Sequence, residues 1–238
     1  MLKNTKALLL SAGFGTRLRP LTLETPKCLV KVNGIPMLEH WLTKLEKLGI
    51  QEVLINTHYL SDKVNEFILK RTKSELKISI KYENQLLGTA GTLIKNKNFY
   101  FGSNVLFIHA DNYTKSNIKG LFDAFYMKPK ECVLTMLTFH TKNPKSCGVI
   151  KVNNKNIVEE FHEKVENPPS NKANGALYLF NYKFINWIEK NIKNPKDFSC
   201  DVIPKILGKI NTWEVDSDYI DIGTIESLER ANTLFKNL

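Results

Sequence analysis

Apolar and polar positions alternate on two different periods along the first half of the chain. Short, continuous apolar runs, typical of buried parallel strands, are followed by stretches in which apolar residues recur every three or four positions, as on one face of a helix. The predicted strands are residues 6–10, 52–56, 77–82 and 104–109, and the predicted helices are residues 36–48, 61–71 and 118–126. Strands that alternate with helices in this way predict a mainly parallel sheet, wound as in nucleotide-binding folds.

The second half of the chain changes character, because its apolar runs follow one another across short polar connections. The predicted strands here are residues 132–139, 148–152, 157–161 and 176–180, and the predicted helices are residues 184–191, 201–207 and 225–238. Strands without intervening helices indicate antiparallel pairing. We therefore expect a Rossmann-like mixed α/β fold, whose mainly parallel central sheet is flanked by helices and carries antiparallel additions in the second half. No repeat or linker interrupts the pattern, so residues 1–238 are predicted to form a single domain.

The composition is that of a globular protein, and only its charge is unusual. Hydrophobic residues make up 42% and charged residues 24% of the 238 positions, which excludes disordered, collagen-like and disulfide-scaffold chains. The formal net charge is +10. Scattered lysines from a compositional bias are one explanation, and a polyanionic partner (nucleic acid, a membrane or a phosphorylated substrate) is the other. No block of about five or six like charges occurs, so a nucleic-acid-binding arm is not supported.

The cysteines and the lengths of the apolar runs favour a cytoplasmic protein that has no membrane partner. None of the four cysteines belongs to a CxxC pair or a zinc-binding spacing, so we expect reduced thiols. No apolar segment approaches the roughly 18 residues that a membrane-spanning helix needs.

A glycine-containing loop directly after the first predicted strand is the most informative stretch of the sequence. Gly13 and Gly15 permit positive φ angles and let backbone N–H groups approach an anion closely. Arg17 adds a forked, permanently charged donor for phosphate oxygens, and Lys27 adds a second cation. Leu18 stands where a G-x-G-x-x-G dinucleotide loop needs glycine, and the GxxxxGK[ST] phosphate loop is absent too.

The run from Gly13 to Thr22, continued by Pro26 and Lys27, resembles the sugar-1-phosphate nucleotidyltransferases, or nucleotide-sugar pyrophosphorylases. It is most similar to mannose-1-phosphate guanylyltransferases, and the short chain is similar to heptose-1-phosphate guanylyltransferases. The resemblance implies a catalytic domain without a C-terminal β-helix, in which this loop binds the nucleotide triphosphate. It implies that Arg17 and Lys27 are catalytic and stabilise the departing pyrophosphate. The nucleotide-binding residues that it implies in the loop are Ala12, Gly13, Gly15 and Thr16.

A second segment, Glu83-Asn-Gln-Leu-Leu-Gly-Thr-Ala-Gly, resembles the family's E-x-x-P-L-G-T-A-G element, with Leu86 in place of the usual proline. The resemblance implies that Glu83 and Gly88 contact the nucleobase and that Thr89 also binds the nucleotide. Guanine presents two adjacent N–H donors that a carboxylate can accept together, whereas uracil and thymine present one donor between two carbonyls. Glu83 therefore favours GTP.

Two aspartates are candidate metal ligands. Asp111 follows a buried strand, and Asp221 lies in Tyr-Ile-Asp-Ile-Gly-Thr, which resembles the family's W-x-D-x-G-T. The resemblance implies that both bind Mg²⁺, which commonly takes one or two carboxylates together with substrate phosphates and water. The alternative for Asp221 is that it only precedes a helix capped by Thr224.

The sugar phosphate is expected to bind in the second half of the chain. Phe161-His-Glu-Lys resembles the family's F-x-E-K-P, with Val165 in place of the proline. The resemblance implies that Glu163 contacts sugar hydroxyls and Lys164 the sugar phosphate. It also implies that the sugar is lined by Gly148, Asn174 and Gly175. Ser146-Cys147 stands where many relatives have Arg-Tyr, so the sugar stays open.

The resemblance as a whole implies transfer of a nucleoside monophosphate, with GTP as the favoured donor, to a sugar 1-phosphate for bacterial capsule or lipopolysaccharide synthesis. Three alternatives stay open: a uridylyl- or thymidylyltransferase, a cytidylyltransferase acting on a small phosphorylated alcohol, and a non-catalytic nucleotide sensor. The presence of Arg17, Lys27, Asp111 and Asp221 argues against the sensor. The expected partners are the two substrates and neither nucleic acid nor membrane, and assembly as a homo-oligomer is left open.

Overall fold

In a computed structural model of the protein, which describes residues 4–71 and 74–234, the chain divides into two compact units. The first unit comprises Met1–Leu86, Ile108–Lys115 and Tyr219–Leu238, and the second comprises Leu87–Phe107 and Ser116–Asp218. The strands of the described residues are β1 (Thr5–Leu10), β2 (Lys31–Val32), β3 (Ile35–Pro36), β4 (Glu52–Thr57), β5 (Lys77–Tyr82), β6 (Asn104–His109), β7 (Asn112–Thr114), β8 (Leu134–His140), β9 (Gly148–Val152), β10 (Val158–Glu163), β11 (Lys172–Asn181), β12 (Ile210–Glu214) and β13 (Tyr219–Asp221). The α-helices are α1 (Met37–Lys47), α2 (Ser61–Lys70), α3 (Gly88–Lys95), α4 (Lys119–Met127), α5 (Lys183–Asn191) and α6 (Ile225–Leu234).

The first unit is built on parallel strands. β1 pairs with β4, and β4 pairs with β5, both in parallel. The apolar run of β1 is buried, as is typical of a parallel strand; Leu8 and Leu9 are fully buried. Since parallel strands end at the same edge of a sheet, the residues after Leu10, Thr57 and Tyr82 emerge together. The chain after β6 joins this edge, where the Ala110 N–H donates to the Leu10 carbonyl (3.1 Å).

The second unit is dominated by antiparallel pairing. β11 pairs with β8 and β9, and β9 pairs with β10, all antiparallel, while β12 pairs with β8 in parallel. A β-bulge interrupts β11 between Asn174 and Tyr178. These pairings, with the parallel strands of the first unit, confirm the predicted mixed α/β fold class. A single catalytic domain over residues 1–238 stays a prediction.

Most predicted elements are found within one to a few residues of their predicted ends, with one clear exception. The sequence predicts a helix over residues 201–207, but the structure has a π-helix at Phe198–Val202 and a 3-10 helix at Ile203–Lys205. Pro204 lacks the N–H that an α-helix would use, and the Asp197 side chain accepts the Cys200 N–H at the start of the segment. The last predicted helix begins at Ile225 as expected, and its residues 235–238 lie outside the described part of the chain.

The sequence predicts reduced cysteines and no helix that crosses a membrane. All four cysteines are free, as expected; Cys28 and Cys132 are buried, whereas Cys147 is half-buried and Cys200 is exposed. Burial raises the pKa of the Cys28 thiol to about 12. Within residues 4–71 and 74–234, no helix is both long and apolar enough to cross a bilayer.

Candidate active site

In the first unit, one lysine lies between two aspartates that are about a hundred residues apart in sequence. The Lys27 Nζ donates to Asp111 Oδ2 and lies 3.9 Å from Asp221 Oδ1. The two aspartates are brought together by the antiparallel pair of β7 and β13, in which Asp221 faces Asn112. The Ile222 N–H also donates to the Asp111 carbonyl (2.9 Å). A short two-stranded ribbon thus places both predicted metal ligands beside Lys27.

The charges of this cluster act strongly on one another. Burial alone would lower the pKa of Lys27, but Asp111 and Asp221 outweigh it and raise that pKa above its ordinary value. Burial would raise the pKa of Asp111, but the adjacent Lys27 holds it below its usual range. Asp221 behaves differently, because partial removal from water and the charge of Asp111 both raise its pKa. The two carboxylates therefore repel each other, although Lys27 lies between them.

This repulsion makes the pair a suitable site for a divalent cation. Two carboxylates with substrate phosphates and water form a common ligand set for Mg²⁺. Among the described residues, no group of three or more His, Cys, Asp or Glu side chains could hold a metal by itself. A cation held by Asp111 and Asp221 would thus take its other ligands from phosphate oxygens and water.

The loop over residues 11–26, predicted to bind phosphate and called the phosphate loop below, owes its shape to one of its two glycines. Gly15 has a φ of +64°, and a Cβ there would lie 3.0 Å from the Thr22 Cγ2 and 3.1 Å from the Lys27 Cβ. The Thr22 hydroxyl also donates to the Gly15 carbonyl (2.7 Å). The spacing of the sequence motif therefore has a physical cause, since its glycine, threonine and lysine pack on one another. The buried Leu18 anchors the loop in the core below.

Of the two glycines, only Gly15 adopts the positive φ that glycine permits. A Cβ on Gly13 would meet nothing within 4 Å, and Gly13 and Thr16 are exposed while Ala12 is buried. The structure therefore requires no glycine at position 13 for the fold, and the open space beside it is available to a ligand.

Arg17 lies against a glycine that the sequence did not mark as functional. A Cβ on Gly223 would come within 2.8 Å of the Arg17 Nη2 and 3.2 Å of its Cζ. The Gly223 N–H donates to the Ser227 hydroxyl (3.1 Å), and the Thr224 hydroxyl accepts the Ser227 N–H (3.2 Å) at the start of α6. Thr224 thus caps α6, and the turn that follows Asp221 also forms the surface on which the guanidinium rests.

Glu83 is buried and held from several sides. The Asn56 Nδ2 donates to the Glu83 Oε1 (3.0 Å), and the Asn56 Oδ1 accepts the Ser11 N–H (2.8 Å). The Glu83 N–H donates to the Thr57 carbonyl (2.8 Å), and the Glu83 carbonyl accepts from the His58 Nδ1 (2.7 Å). Sequence reasoning missed Asn56. The signal available was a polar residue directly after the apolar run of residues 53–55 in β4.

In the second unit, Gly88 and Thr89 are tied to a segment that was not predicted to be functional. Gly88 has a φ of +77°, and a Cβ there would lie 2.4 Å from the Lys196 carbonyl oxygen, which leaves no room for a side chain. The Thr89 hydroxyl accepts the Phe198 N–H (2.6 Å) and lies 3.4 Å from the Asp197 Oδ2. The side chain of Thr89 therefore holds the start of α3 against residues 196–198.

The predicted sugar-phosphate residues form two groups in the second unit. Gly148 faces Glu163 across β9 and β10, and a Cβ on Gly148 would lie 2.4 Å from the Glu163 Oε2. The Lys164 Nζ lies 3.3 Å from the Glu163 Oε1, and its side chain is exposed. Glycine at position 148 thus leaves space for the Glu163 carboxylate.

Asn174 is oriented at both ends of its amide. Its Oδ1 accepts the Ala176 N–H (2.9 Å), and its Nδ2 donates to the Tyr178 hydroxyl (2.7 Å), which is 3.3 Å from the Ser199 hydroxyl. The buried Gly175 lies in the bulge between Asn174 and Tyr178. Tyr178 and Ser199 were missed by sequence reasoning, because an isolated tyrosine or serine carries no motif.

Comparisons with known proteins give a matching family model and several named relatives. Residues 6–237 match the model of the family described as Nucleotidyl transferase. The catalytic subunit beta of the Drosophila melanogaster mannose-1-phosphate guanylyltransferase is 30% identical over 224 residues, which are 92% of this chain and 59% of that protein. The chain spans about three-fifths of the length of the curated relatives that it matches first.

Solved structures share the fold over nearly the whole chain. A Bacillus anthracis protein assigned as a glucose-1-phosphate thymidylyltransferase, solved with sucrose, has a TM-score of 0.87 at 24% identity and covers 98% of this chain and 96% of its own. HddC from Yersinia pseudotuberculosis, complexed with GMP-PN, has a TM-score of 0.78 at 22% identity and covers 97% of this chain and 99% of its own.

Proposed function

Because the chain belongs to the nucleotidyl transferase family, we propose that it transfers a nucleoside monophosphate from a nucleoside triphosphate to a sugar 1-phosphate and releases pyrophosphate. The observation that carries this proposal is the cluster of Lys27, Asp111 and Asp221, together with Arg17 on Gly223, in one compact unit. Two cations and a pair of carboxylates beside a glycine-containing loop supply what phosphoryl chemistry needs.

The reaction proceeds by a single in-line displacement. A phosphate oxygen of the sugar 1-phosphate bonds to the α-phosphorus, and the bond from that phosphorus to the pyrophosphate oxygen breaks. The nucleophile is already ionised at neutral pH, since the second pKa of a phosphate monoester is about 6. The protein therefore needs no general base. Arg17 and Lys27 stabilise the negative charge that grows on the leaving pyrophosphate.

Mg²⁺ completes this arrangement as the proposed cofactor. Asp111 and Asp221 would hold the ion, which supplies charge neutralisation to the phosphate oxygens when it is bound. Lys27 positions the two carboxylates, because its ammonium contacts one and approaches the other.

GTP is the nucleotide that the site favours. The Glu83 carboxylate matches the two adjacent N–H donors of guanine, as argued from the sequence, and relatives are named as guanylyltransferases. The GMP-PN complex of HddC is a further guanine-nucleotide precedent in this fold. Transfer from dTTP or UTP is the second candidate, because a fold neighbour is named as a thymidylyltransferase.

The sugar 1-phosphate is proposed to bind in the second unit, where Glu163 and Asn174 meet its hydroxyls and Lys164 meets its phosphate. Mannose 1-phosphate is the first sugar to test, because it appears in the names of relatives. We place the reaction in the cytoplasm, where nucleoside triphosphates are available, and assign its product to bacterial capsule or lipopolysaccharide synthesis.

A substrate matrix tests the proposal. GTP, UTP, dTTP, CTP and ATP are each combined with several hexose and heptose 1-phosphates and with phosphocholine, and pyrophosphate release is measured in the presence of Mg²⁺. The expected result is release with GTP and at least one sugar 1-phosphate. Release only with CTP and phosphocholine would support the cytidylyltransferase alternative, and nucleotide binding without release would support the sensor.

A further inference from the structure

Asn56 connects two parts of the first unit that have separate proposed tasks. It is the fifth residue of β4 and is almost completely buried, with 3% of its surface exposed. Its Oδ1 accepts the N–H of Ser11, the first residue after β1, and its Nδ2 donates to the Oε1 of Glu83, the first residue after β5. One amide therefore joins the start of the phosphate loop to the carboxylate proposed to read the base.

The orientation of this amide follows from the chemistry of its partners. The Ser11 N–H can only donate, so the oxygen of Asn56 must face it. The nitrogen then faces Glu83, whose carboxylate can only accept. Because both ends have a partner of fixed polarity, Asn56 cannot flip without losing both hydrogen bonds, and the position of the Glu83 Oε1 is set by β4.

The hydrogen bond from Asn56 takes up only one of the acceptor sites of the Glu83 carboxylate. A carboxylate has about four acceptor sites on its two oxygens, and the Asn56 Nδ2 uses one of those on Oε1. The backbone of Glu83 is fixed by the Thr57 carbonyl and His58, so rotation of the side chain is the main freedom that remains. Asn56 restricts the rotation of the Glu83 side chain, and Glu83 is itself only 6% exposed.

We propose that Asn56 is a positioning residue that sets nucleobase selectivity by holding the Glu83 carboxylate for a base with two adjacent N–H donors. This inference rests on the proposed function. It adds that selectivity depends on a residue that does not itself touch the nucleotide, and that the same residue ties the base-reading side chain to the phosphate loop.

The test compares GTP with ITP, whose base lacks the 2-amino group and so offers one N–H donor in place of two. The kcat/KM for each nucleotide is measured for the wild type, for Asn56→Asp and for Asn56→Leu. Asn56→Asp keeps an acceptor for the Ser11 N–H but places a second carboxylate against Glu83. Asn56→Leu removes both hydrogen bonds. Thr57→Val is the matched control, because the adjacent Thr57 hydroxyl is buried without a hydrogen-bond partner among the described residues.

We expect both Asn56 variants to lower the GTP-to-ITP ratio of kcat/KM by roughly tenfold, since a hydrogen bond to a charged group contributes about that factor or more. Thr57→Val should keep the wild-type ratio. Asn56→Leu should also lower the rate with both nucleotides, because it releases the phosphate loop. If the ratio stays at its wild-type value while both rates fall together, Asn56 has only a structural role and the inference is overturned.

The wild-type measurements separate this inference from the proposed function. If the wild type releases no pyrophosphate from any nucleotide, the proposed function fails. If the wild type does not favour GTP over ITP and UTP, the guanine assignment fails. In both of these cases the inference about Asn56 fails as well. If the wild type favours GTP and the variants keep that preference, only the inference fails. Should Asn56→Asp and Asn56→Leu both fail to fold, Asn56→Ser, which is smaller and leaves room for water, is judged by the same ratio.

Discussion

Arg17 and Gly223 illustrate how a residue with no chemistry of its own can determine where a charged side chain lies. The guanidinium rests where any side chain at position 223 would collide with it. The same turn carries Asp221 two residues earlier, so the second carboxylate and the arginine depend on one stretch of backbone. A substitution of Arg17 removes the positive charge, whereas a substitution of Gly223 keeps that charge and changes its position. Comparing the two therefore separates the effects of charge and position.

Arg17→Ala is expected to lower turnover by about 10²- to 10³-fold, as is usual when one preorganised donor to a developing charge is removed. Arg17 is exposed, so the thermal midpoint of unfolding should hardly change. The matched control is Arg19→Ala, which removes the same side chain two residues away at an exposed position without an assigned contact. Pyrophosphate release and thermal unfolding are measured on both. Wild-type turnover in Arg17→Ala would show that the loop is not catalytic.

Gly223→Ala is expected to reduce turnover towards the level of Arg17→Ala while the protein stays folded. The added methyl group collides with the flexible end of Arg17, which can move away at little cost in stability. Circular dichroism melting and pyrophosphate release are the two measurements. A fully active Gly223→Ala would mean that the guanidinium does not need the position that the structure gives it.

At the scale of elements, pairs of strands determine which of the predicted site residues meet. β7 and β13 bring Asp111 beside Asp221, and β9 and β10 bring Gly148 opposite Glu163. In both cases the register of the paired strands brings the two residues together. Their contact therefore depends on the backbone hydrogen bonds between the strands and not on proximity in sequence.

Gly148→Ala is expected to raise the KM for the sugar 1-phosphate by about tenfold to 100-fold, because the new methyl group would displace the Glu163 carboxylate and small misplacements cost that much. The KM for the nucleotide should stay within about twofold of wild type, because the residues assigned to the nucleotide are elsewhere. Steady-state kinetics with each substrate varied in turn provide both values. An equal rise in the two KM values would contradict the assignment of Glu163 to the sugar.

Sequence patterns predicted the elements well where periodicity was strong and poorly where tertiary contacts decide. The apolar runs of β1, β4 and β6 are unambiguous, whereas β12 and the ribbon of β7 with β13 are short and have no period of their own. The π-helix at Phe198–Val202 depends on the Asp197 cap and on Pro204. The apolar pattern of this segment predicts an α-helix and does not indicate either effect. The motifs identified Asp111, Asp221 and Lys27, but the contacts of Asn56 depend on strand register and could not be read from spacing.

At the scale of the whole molecule, few of the cations behind the net charge of +10 have a proposed role. Several lysines form ion pairs on the surface of the second unit, among them Lys97 with Glu189 and Lys151 with Glu160. Such exposed pairs contribute little to stability or binding. The cations with a proposed role in catalysis are Arg17 and Lys27, so the polyanion that the charge suggested is interpreted as a triphosphate and a sugar phosphate.

The most direct test of the proposed reaction follows the phosphorus atoms of the nucleotide. GTP labelled at the α-phosphate and, separately, at the γ-phosphate is incubated with the sugar 1-phosphate that the matrix identifies, with Mg²⁺ and then with EDTA. We expect the α label to enter a nucleotide sugar and the γ label to enter pyrophosphate. Both transfers should stop with EDTA and resume when Mg²⁺ is restored. A γ label on the sugar or in orthophosphate, or transfer that continues unchanged in EDTA, would contradict the proposed reaction.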